Sequence, residues 1–221
     1  MDQSGRIIPV YKPVGPSTFD IIRIFRKTTG FKGKIGHGGT LDPFACGVVL
    51  LLLGKYTKHF EEIKNWEKVY TAGILLGAES DTGDITGTIR FQEPEQIVKP
   101  GLNTVEEVIG TFIGEIEQRV PSYSAAKFQG VPLYKLARKG IQITKQKKVE
   151  IGKIELIFYK YPILTIRVNC RGGVYIRQLA QDIAGALRTT GFLFYLQREK
   201  VGEFSIKNCV EIHDFGTLTT E

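Results

Sequence analysis

The chain has 221 residues, which is long enough to bury the hydrophobic core of one or two domains. Hydrophobic residues make up 42% and charged residues 24%, a composition that excludes a disordered chain and is typical of a soluble globular protein. A formal net charge of +7 favours a polyanionic partner, although many basic proteins bind no nucleic acid.

The predicted elements of the first third alternate between strand and helix. Residues 6–11 predict a strand, and a rigid turn containing two prolines follows it. Ser17 with Asp20 resembles a capping box, which begins a helix that ends near Thr29. Residues 36–43 predict a turn-rich loop, and residues 47–53 predict a strand buried on both faces.

The rest of the chain does not follow a strict βαβ rhythm. Residues 68–77 and 85–91 predict a hairpin across an acidic turn, and a helix is expected from Asn103 or Thr104 to about Phe112. The later elements are paired strands at 152–159 and 164–170, a helix at 174–188 and a strand at 192–201. This order predicts an α+β fold with a mixed, largely antiparallel sheet, in a single domain over residues 1–221.

Charge is unevenly distributed along the chain. Three windows contain Lys and Arg but no Asp or Glu: residues 21–41 with five basic residues, 118–149 with eight and 156–181 with four. Such windows are either solvated faces or surfaces that contact nucleic acid, and we favour the second interpretation.

Several kinds of site have no support in the sequence. The three cysteines are far apart and the three histidines lack ligand spacing, so neither a disulfide nor a metal site is predicted. There is no phosphate-binding loop and no nucleophile elbow. No run is apolar for long enough to span a membrane, and the N-terminus has no signal pattern, so we expect a cytoplasmic protein.

Residues 34–47 form the most unusual segment. Its four glycines allow the backbone to approach a ligand closely, and Pro43 favours an extended conformation at Asp42 that projects the carboxylate. A carboxylate offered to a polyanion opposes binding. Asp42 is therefore either needed for chemistry or caps a turn, and the residues alone leave both interpretations open.

The string G-H-G-G-T-L-D-P-F-A-C-G-V at residues 36–48 resembles the signature of the TruB family of pseudouridine synthases. Three further segments resemble that family in the same order: residues 12–18, residues 121–138 and residues 170–177. The departures are Ser17-Thr18 where Thr-Ser is common, Gly38 where Thr or Ala is common, and Val174 where Thr is common. None of them changes a presumed reacting group.

The resemblance implies roles for three catalytic residues. Asp42 is the indispensable carboxylate and a nucleophile towards the sugar, Tyr70 stacks on the extruded base, and Arg177 pairs with Asp42. Without the resemblance, Tyr70 is an ordinary aromatic residue on a strand. Arg177 is then a helix-capping or phosphate-binding residue.

The resemblance also implies a substrate site for a uridine flipped out of an RNA loop. His37 would fill the vacated space or contact the flipped strand, and Ile176 and Leu196 would line the uracil pocket, although apolar strand residues are more often plain core. Residues 118–149 would form a thumb-like insertion that grips RNA. The predicted substrate-binding residues are His37, Tyr175, Ile176, Leu196, Lys12, Lys127 and Arg138.

The expected function is isomerisation of uridine to pseudouridine at position 55 in the T loop of tRNA. We expect a monomer that needs no cofactor and no metal and that has no C-terminal PUA-type domain. Two alternatives stay open: a synthase with another RNA target, which could require a guide RNA, and an RNA-binding helper of tRNA folding in which isomerisation is secondary or absent.

Overall fold

The computed structural model describes residues 5–93, 95, 97, 99–124, 126–141 and 143–218. Residues 1–4, on which the prediction about a signal rests, and Ala125 of the third resembling segment lie outside this part of the chain. The strands are β1 (Ile7–Lys12), β2 (Ile35–His37), β3 (Cys46–Leu53), β4 (Lys68–Leu76), β5 (Ala78–Ser80), β6 (Ile89–Phe91), β7 (Gly114–Arg119), β8 (Lys127–Phe128), β9 (Val131–Pro132), β10 (Gln146–Lys160), β11 (Ile163–Cys170), β12 (Gly191–Val201) and β13 (Phe204–Ser205). The helices are α1 (Thr18–Thr29), α2 (Phe60–Lys64), α3 (Leu102–Gly110), α4 (Leu133–Ala137) and α5 (Ile176–Ala186).

The chain folds as two compact units. Unit 1 comprises Met1–Thr71 and Leu196–Glu221, and unit 2 comprises Ala72–Tyr195. The strand order is β1-β3-β12-β4 in unit 1 and β12-β4-β11-β10-β7 in unit 2, because β4 and β12 contribute residues to both. The β3–β12 pair is parallel, whereas β1–β3, β2–β3, β7–β10 and β10–β11 are antiparallel. The prediction of an α+β fold with a largely antiparallel sheet is confirmed.

Helix α1 begins where the sequence predicts it. The Ser17 side chain accepts a hydrogen bond from the Asp20 backbone N–H, and the Asp20 carboxylate accepts one from the Ser17 backbone N–H, which completes a capping box. The helix ends at Gly30, whose φ of 68° allows the left-handed conformation typical of a C-terminus. Its buried residues recur at helical spacing and are Thr18, Ile21, Ile22 and Phe25.

Strand β3 is the centre of unit 1. All eight of its residues are buried, which confirms the prediction of a strand covered on both faces. Its even-numbered aliphatic residues pack with Ile63 and Val201 in one hydrophobic cluster. Full burial of each such side chain stabilises the fold by about 1.5–3 kcal/mol, so β3 provides a rigid support for the loop that precedes it.

The predicted hairpin is wrong. Strand β4 forms as predicted, but β6 pairs with β5 and not with β4. Gly77, with φ of 79°, turns the chain between β4 and β5. The Asp84 carboxylate then accepts a hydrogen bond from the Thr86 N–H at 2.9 Å, and the Ser80 hydroxyl donates to the Asp84 carbonyl at 2.6 Å. These side-chain bonds build a local turn that competes with hairpin pairing.

Other boundaries differ by a few residues. Strand β2 lies partly inside the predicted loop, and α3 begins after Gly101 instead of at Asn103 or Thr104 and ends at Gly110. Strand β10 has 15 residues, because it pairs with β7 over its first part and with β11 over its second. Helix α5 is shorter at both ends than predicted. The sequence does not predict β7 or α2, which are short and polar on one side.

Gly47 allows β3 and β12 to approach closely. Its φ is 112°, and a Cβ built there would lie 2.2 Å from the Arg198 carbonyl oxygen and 2.8 Å from the Arg198 nitrogen. Because these are backbone atoms of the paired strand, they cannot move aside without breaking the pairing. Replacing Gly47 with alanine should therefore lower the free energy of unfolding by about 3 kcal/mol or more, measured by urea denaturation.

Gly110 is the matched control for that substitution. It lies at the exposed end of α3, and a Cβ there would meet nothing within 4 Å. Replacing Gly110 with alanine should leave stability unchanged or raise it by up to about 1 kcal/mol, since alanine favours helix. Equal stability of the two variants would show that the close approach at Gly47 does not constrain the fold.

Candidate active site

The loop that carries Asp42 is held by buried backbone contacts. This segment, residues 38–43, is called the Asp42 loop below. The hydroxyl of Thr18, a buried residue of α1, accepts a hydrogen bond from the Leu41 N–H at 3.0 Å and donates one to the Leu41 carbonyl at 3.1 Å. The Gly15 N–H donates to the Pro43 carbonyl at 2.8 Å. The backbone on both sides of Asp42 is therefore fixed by the start of α1 and by the turn before it.

Arg198, on β12, binds the same loop with its guanidinium. This residue is only 2% exposed. Its Nε donates to the Val48 carbonyl at 2.7 Å, its Nη1 to the Thr40 carbonyl at 3.1 Å and its Nη2 to the Gly39 carbonyl at 3.2 Å. The sequence does not identify Arg198 as a site residue, because a charged residue in a strand is usually assigned to solvent. Arg198 lies two residues after the apolar Leu196, and this spacing in a strand could have placed both side chains on the same buried face.

Lys12 is fully buried, at 0% exposure. Its Nζ donates to the Pro13 carbonyl at 2.8 Å and to the Pro43 carbonyl at 3.3 Å. Burial, with a smaller contribution from the Arg198 cation, lowers the pKa of Lys12 to about 8, and Cys46 and the charge of Asp42 act in the opposite direction. In this structure Lys12 positions the Asp42 loop, and its predicted contact with substrate stays a prediction.

His37 ends β2 immediately before the Asp42 loop. Its Nδ1 accepts a hydrogen bond from the Gly39 N–H at 3.3 Å. Its ring meets Phe19 and Phe60 edge-on, with centroids 5.4 and 6.3 Å away. Burial and the charge of Arg198 lower the pKa of His37, so the ring is neutral near pH 7. Phe19 is 66% exposed, which extends this aromatic surface into solvent.

Tyr70 and Leu196 are buried residues on two strands of unit 1. Tyr70 and Lys68 are two residues apart on β4, so both side chains lie on the same face of the strand. The Lys68 side chain comes within 4.0 Å of the position that a Cβ of Gly39 would occupy. This face of β4 therefore borders the Asp42 loop. Stacking of Tyr70 on a base, and contact of Leu196 with uracil, stay predictions.

Arg177 lies in the first turn of α5, in unit 2, and is buried. Its Nη1 donates to the Thr82 carbonyl and its Nη2 to the Tyr123 carbonyl, both at 2.8 Å. Its Nε lies 3.7 Å from an Asp84 carboxylate oxygen, and this carboxylate is buried too. These contacts fix the direction of the guanidinium. The predicted pairing of Arg177 with Asp42 stays a prediction.

Tyr175 is the N-cap residue of α5 and is clamped by a buried glutamine. Gln118 donates to the Tyr175 carbonyl at 3.1 Å and accepts from the Tyr175 N–H at 2.8 Å. The Lys147 ammonium lies 4.5 Å from the centroid of the Tyr175 ring, which is a cation–π contact. Ile176 follows and is buried. The sequence does not identify Gln118 or Asp84, since each acts through contacts far away in the chain.

The thumb, residues 118–149, exposes the two remaining predicted residues. Lys127 on β8 is exposed, and β8 and β9 are joined by a two-residue turn with positive φ at both positions. Arg138 is exposed with its guanidinium 5.7 Å from the centroid of the Tyr134 ring. Tyr123 and Phe128 are exposed as well. Exposed cations and aromatic rings alternate in this segment, an arrangement suited to phosphates and unstacked bases.

Two other kinds of feature are missing from the part of the chain that the structure describes. No group of three or more His, Cys, Asp or Glu side chains could hold a metal ion there. Among the same residues, no helix is long and apolar enough to cross a membrane.

Comparison with known proteins gives a family match. Residues 26–176 match the family model described as "TruB family pseudouridylate synthase (N terminal domain)". A relative named tRNA pseudouridine synthase B from Caldicellulosiruptor saccharolyticus is 43% identical over 91% of this chain and 69% of its own. Another with the same name, from Parabacteroides distasonis, is 38% identical over 96% of this chain and 93% of its own.

A solved structure is similar as well. The crystal structure of a Cbf5-Nop10-Gar1 complex contains a chain that matches 96% of this one with a TM-score of 0.74 and 26% sequence identity. The present chain spans about half of that chain, 53%. The similarity therefore concerns one shared domain. The assembly named for the larger protein is a property of that protein alone.

The depressed pKa of Lys12 gives a test of the buried geometry. Between pH 8 and 10.5 the unfolded chain holds the Lys12 proton more tightly than the folded chain, so stability rises with pH in this window. Compared with Lys12→Met, the wild type should gain about 2 kcal/mol in free energy of unfolding between about pH 7.5 and pH 9.5. Urea denaturation of both proteins at the two pH values measures the difference.

Lys200→Met is the control, because Lys200 is an exposed lysine of β12. The wild type should gain no stability over this variant between the same pH values. A pH dependence that is the same in Lys12→Met and the wild type would show that Lys12 is not desolvated in the fold.

Proposed function

Because the chain belongs to the TruB family of pseudouridylate synthases, we propose that it isomerises uridine to pseudouridine at position 55 in the T loop of tRNA. The observation that carries the proposal is the family match over residues 26–176, which includes Asp42, Tyr70 and the whole thumb. Relatives named tRNA pseudouridine synthase B share about 40% of the residues over nearly the whole chain. The T-loop position follows from the resemblance of the four segments.

The reaction requires a carboxylate held firmly at the flipped nucleotide. The bond between C1′ of the ribose and N1 of uracil breaks, the base turns and a bond forms between C1′ and C5. C5 then loses its proton and N1 gains one, so the product is an isomer of the substrate. Asp42 acts as the nucleophile towards the sugar and divides one difficult step into two easier ones. The fixed backbone on both sides of Asp42 supports this role, since a preorganised group needs no reordering when the substrate binds.

The other predicted residues complete the site. In this proposal Arg177 pairs with Asp42 and fixes the direction of its carboxylate, and the ring of Tyr70 stacks on the extruded uracil. His37 is neutral near pH 7 and lies beside the exposed Phe19, so it meets the flipped strand without adding charge. The thumb contributes exposed cations and aromatic rings for the T arm. Flipping the nucleotide costs about a few kcal/mol, which these contacts with RNA offset.

The two alternative functions are less well supported. A synthase with another RNA target, working in an assembly with partner proteins, is favoured by the likeness to a chain of a Cbf5-Nop10-Gar1 complex, but that likeness rests on 26% identity, whereas the relatives named for tRNA reach 43%. A tRNA folding helper without catalysis would have no need for a rigid, buried support around a carboxylate. We therefore retain the tRNA synthase as the proposed function.

Asp42→Asn tests the chemistry. With a T-arm RNA tritiated at uridine C5, the wild type should release tritium, and the variant should release it at least about 1,000-fold more slowly because the amide is not a nucleophile. RNA binding, measured by filter retention, should be unchanged. Asp214→Asn, at an aspartate of unit 1 whose side chain is half exposed, is the control and should behave as wild type.

Three outcomes of this experiment are decisive. Loss of both binding and tritium release in Asp42→Asn would assign Asp42 a structural role. No release by a wild type that binds the RNA well would point to another target or to the folding helper. Release by the wild type alone would establish the reaction and its carboxylate together.

Limited proteolysis tests the thumb. We expect the thumb to be mobile without RNA, so trypsin should cleave the free protein after exposed basic residues such as Lys127, Lys135 and Arg138. A bound T-arm RNA should slow this cleavage by about tenfold or more, since the same residues then contact phosphates. Cleavage after Arg26 in α1, which is an ordered helix, is the internal control. Resistance of the thumb in the free protein would contradict the proposed mobility.

A further inference from the structure

The geometry points to Arg198 as a positioning residue of the proposed reaction: its guanidinium holds the backbone of the Asp42 loop so that the carboxylate meets the ribose. This inference rests on the proposed function and adds to it a residue that acts without touching the substrate. Arg198 is buried, and the three carbonyls that its guanidinium binds lie in the loop and in the strand that follows it.

The three carbonyls lie on both sides of Asp42. Gly39 and Thr40 precede it by three and two residues, and Val48 follows it by six. One planar group thus spans the loop and the strand that supports it, with the donors in a fixed fork. A lysine has a single nitrogen on a flexible chain and cannot reproduce three bonds in this geometry. The side chain at position 198 therefore fixes the part of the loop before Asp42 against β3, the strand that follows the loop.

The charge of Arg198 indicates that this residue positions the loop and does not only fill space in the core. Among the described residues, Arg198 forms no ion pair, and its partners are all backbone carbonyls. Burying a cation without a counter-ion opposes folding, and an apolar residue of similar size would stabilise a strand at least as well. The position nevertheless holds arginine. The arrangement is expected where loop geometry, and not stability alone, is the requirement.

The electrostatic effect of Arg198 reaches the residues around the loop. Its charge contributes to the lowered pKa values of His37 and Lys12, after the larger effect of burial. Both residues contact the Asp42 loop or its immediate neighbour. A cation beneath the loop favours negative charge at the loop surface, which suits a segment that carries a reacting carboxylate towards a phosphate backbone.

Arg198→Lys is the main test, because it keeps the positive charge and removes the fork. Single-turnover tritium release from the T-arm RNA should fall about 100-fold, as expected for a misplaced reacting group, while the RNA dissociation constant stays within about threefold of wild type. The variant should still unfold in one cooperative transition. Lys200→Met, an exposed cation of the same strand, is the matched control and should match wild type in all three measurements.

Hydrogen exchange of the backbone provides a readout that does not depend on activity. The Leu41 and Ala45 amides are both hydrogen-bonded in the wild type, to Thr18 Oγ1 and to the Asp42 carbonyl. In Arg198→Lys they should exchange at least about tenfold faster, whereas amides in the middle of β3 should not change. This measurement stands even if the wild type releases no tritium, a result that would refute the proposed function and not the positioning role.

Three results would overturn the inference. Wild-type exchange at Leu41 and Ala45 in Arg198→Lys would show that the guanidinium does not hold the loop. A wild-type rate of tritium release would show that the loop tolerates its loss. Parallel losses of rate, RNA binding and thermal stability would assign Arg198 a purely structural role. If Arg198→Lys does not fold, Thr40→Pro tests the same contact from the loop side, because proline restricts the backbone of Gly39 and Thr40 and so displaces the carbonyls that Nη2 and Nη1 bind.

Discussion

The hydrogen bonds that hold the backbone of the Asp42 loop are the constraint on which unit 1 depends. A turn rich in glycine does not fix a carboxylate by itself, because glycine loses more conformational freedom on folding than any other residue. Here Thr18, Arg198 and Lys12 supply buried donors and acceptors from α1, β12 and β1. Each element is ordered for its own reasons: α1 begins at a capping box, and β1 and β12 both pair with the buried strand β3. The loop takes its conformation from them.

Two buried cations beneath one loop would destabilise an ordinary fold. Arg198 and Lys12 are both removed from water, and burial lowers the pKa of Lys12 to about 8. The loop compensates through its carbonyls, which accept hydrogen bonds from both groups. These hydrogen bonds satisfy both partners, because the carbonyls of a sharp loop otherwise lack donors and the cations otherwise lack acceptors. The result is a rigid segment with a positive interior and an exposed edge.

Local chemistry determined which elements were predictable. The capping box at Ser17 and the continuous apolar run of β3 involve neighbouring residues, so the sequence predicts both. The hairpin prediction failed because Asp84 gathers hydrogen bonds from Ser80 and Thr86 and organises a separate turn. Asp42 and its motif could be found from the string of residues. The spacing from Leu196 could have placed Arg198 on a buried face, but it could not have given its partners, since these are reached only when β12 pairs in parallel with β3, and Arg198 and Val48 are 150 positions apart in the chain.

In unit 2, too, backbone carbonyls fix the direction of a buried guanidinium, that of Arg177. The Arg177 guanidinium binds the Thr82 and Tyr123 carbonyls and lies beside the Asp84 carboxylate, so a turn and the thumb both limit its direction. Tyr123 belongs to the thumb, and Gln118 at the start of the thumb clamps the N-cap residue of α5. Displacement of the thumb base would therefore disturb the first turn of α5 directly. The orientation of this guanidinium thus depends in part on one backbone carbonyl of the segment proposed to bind RNA, so that movement of this segment would change the direction of Arg177.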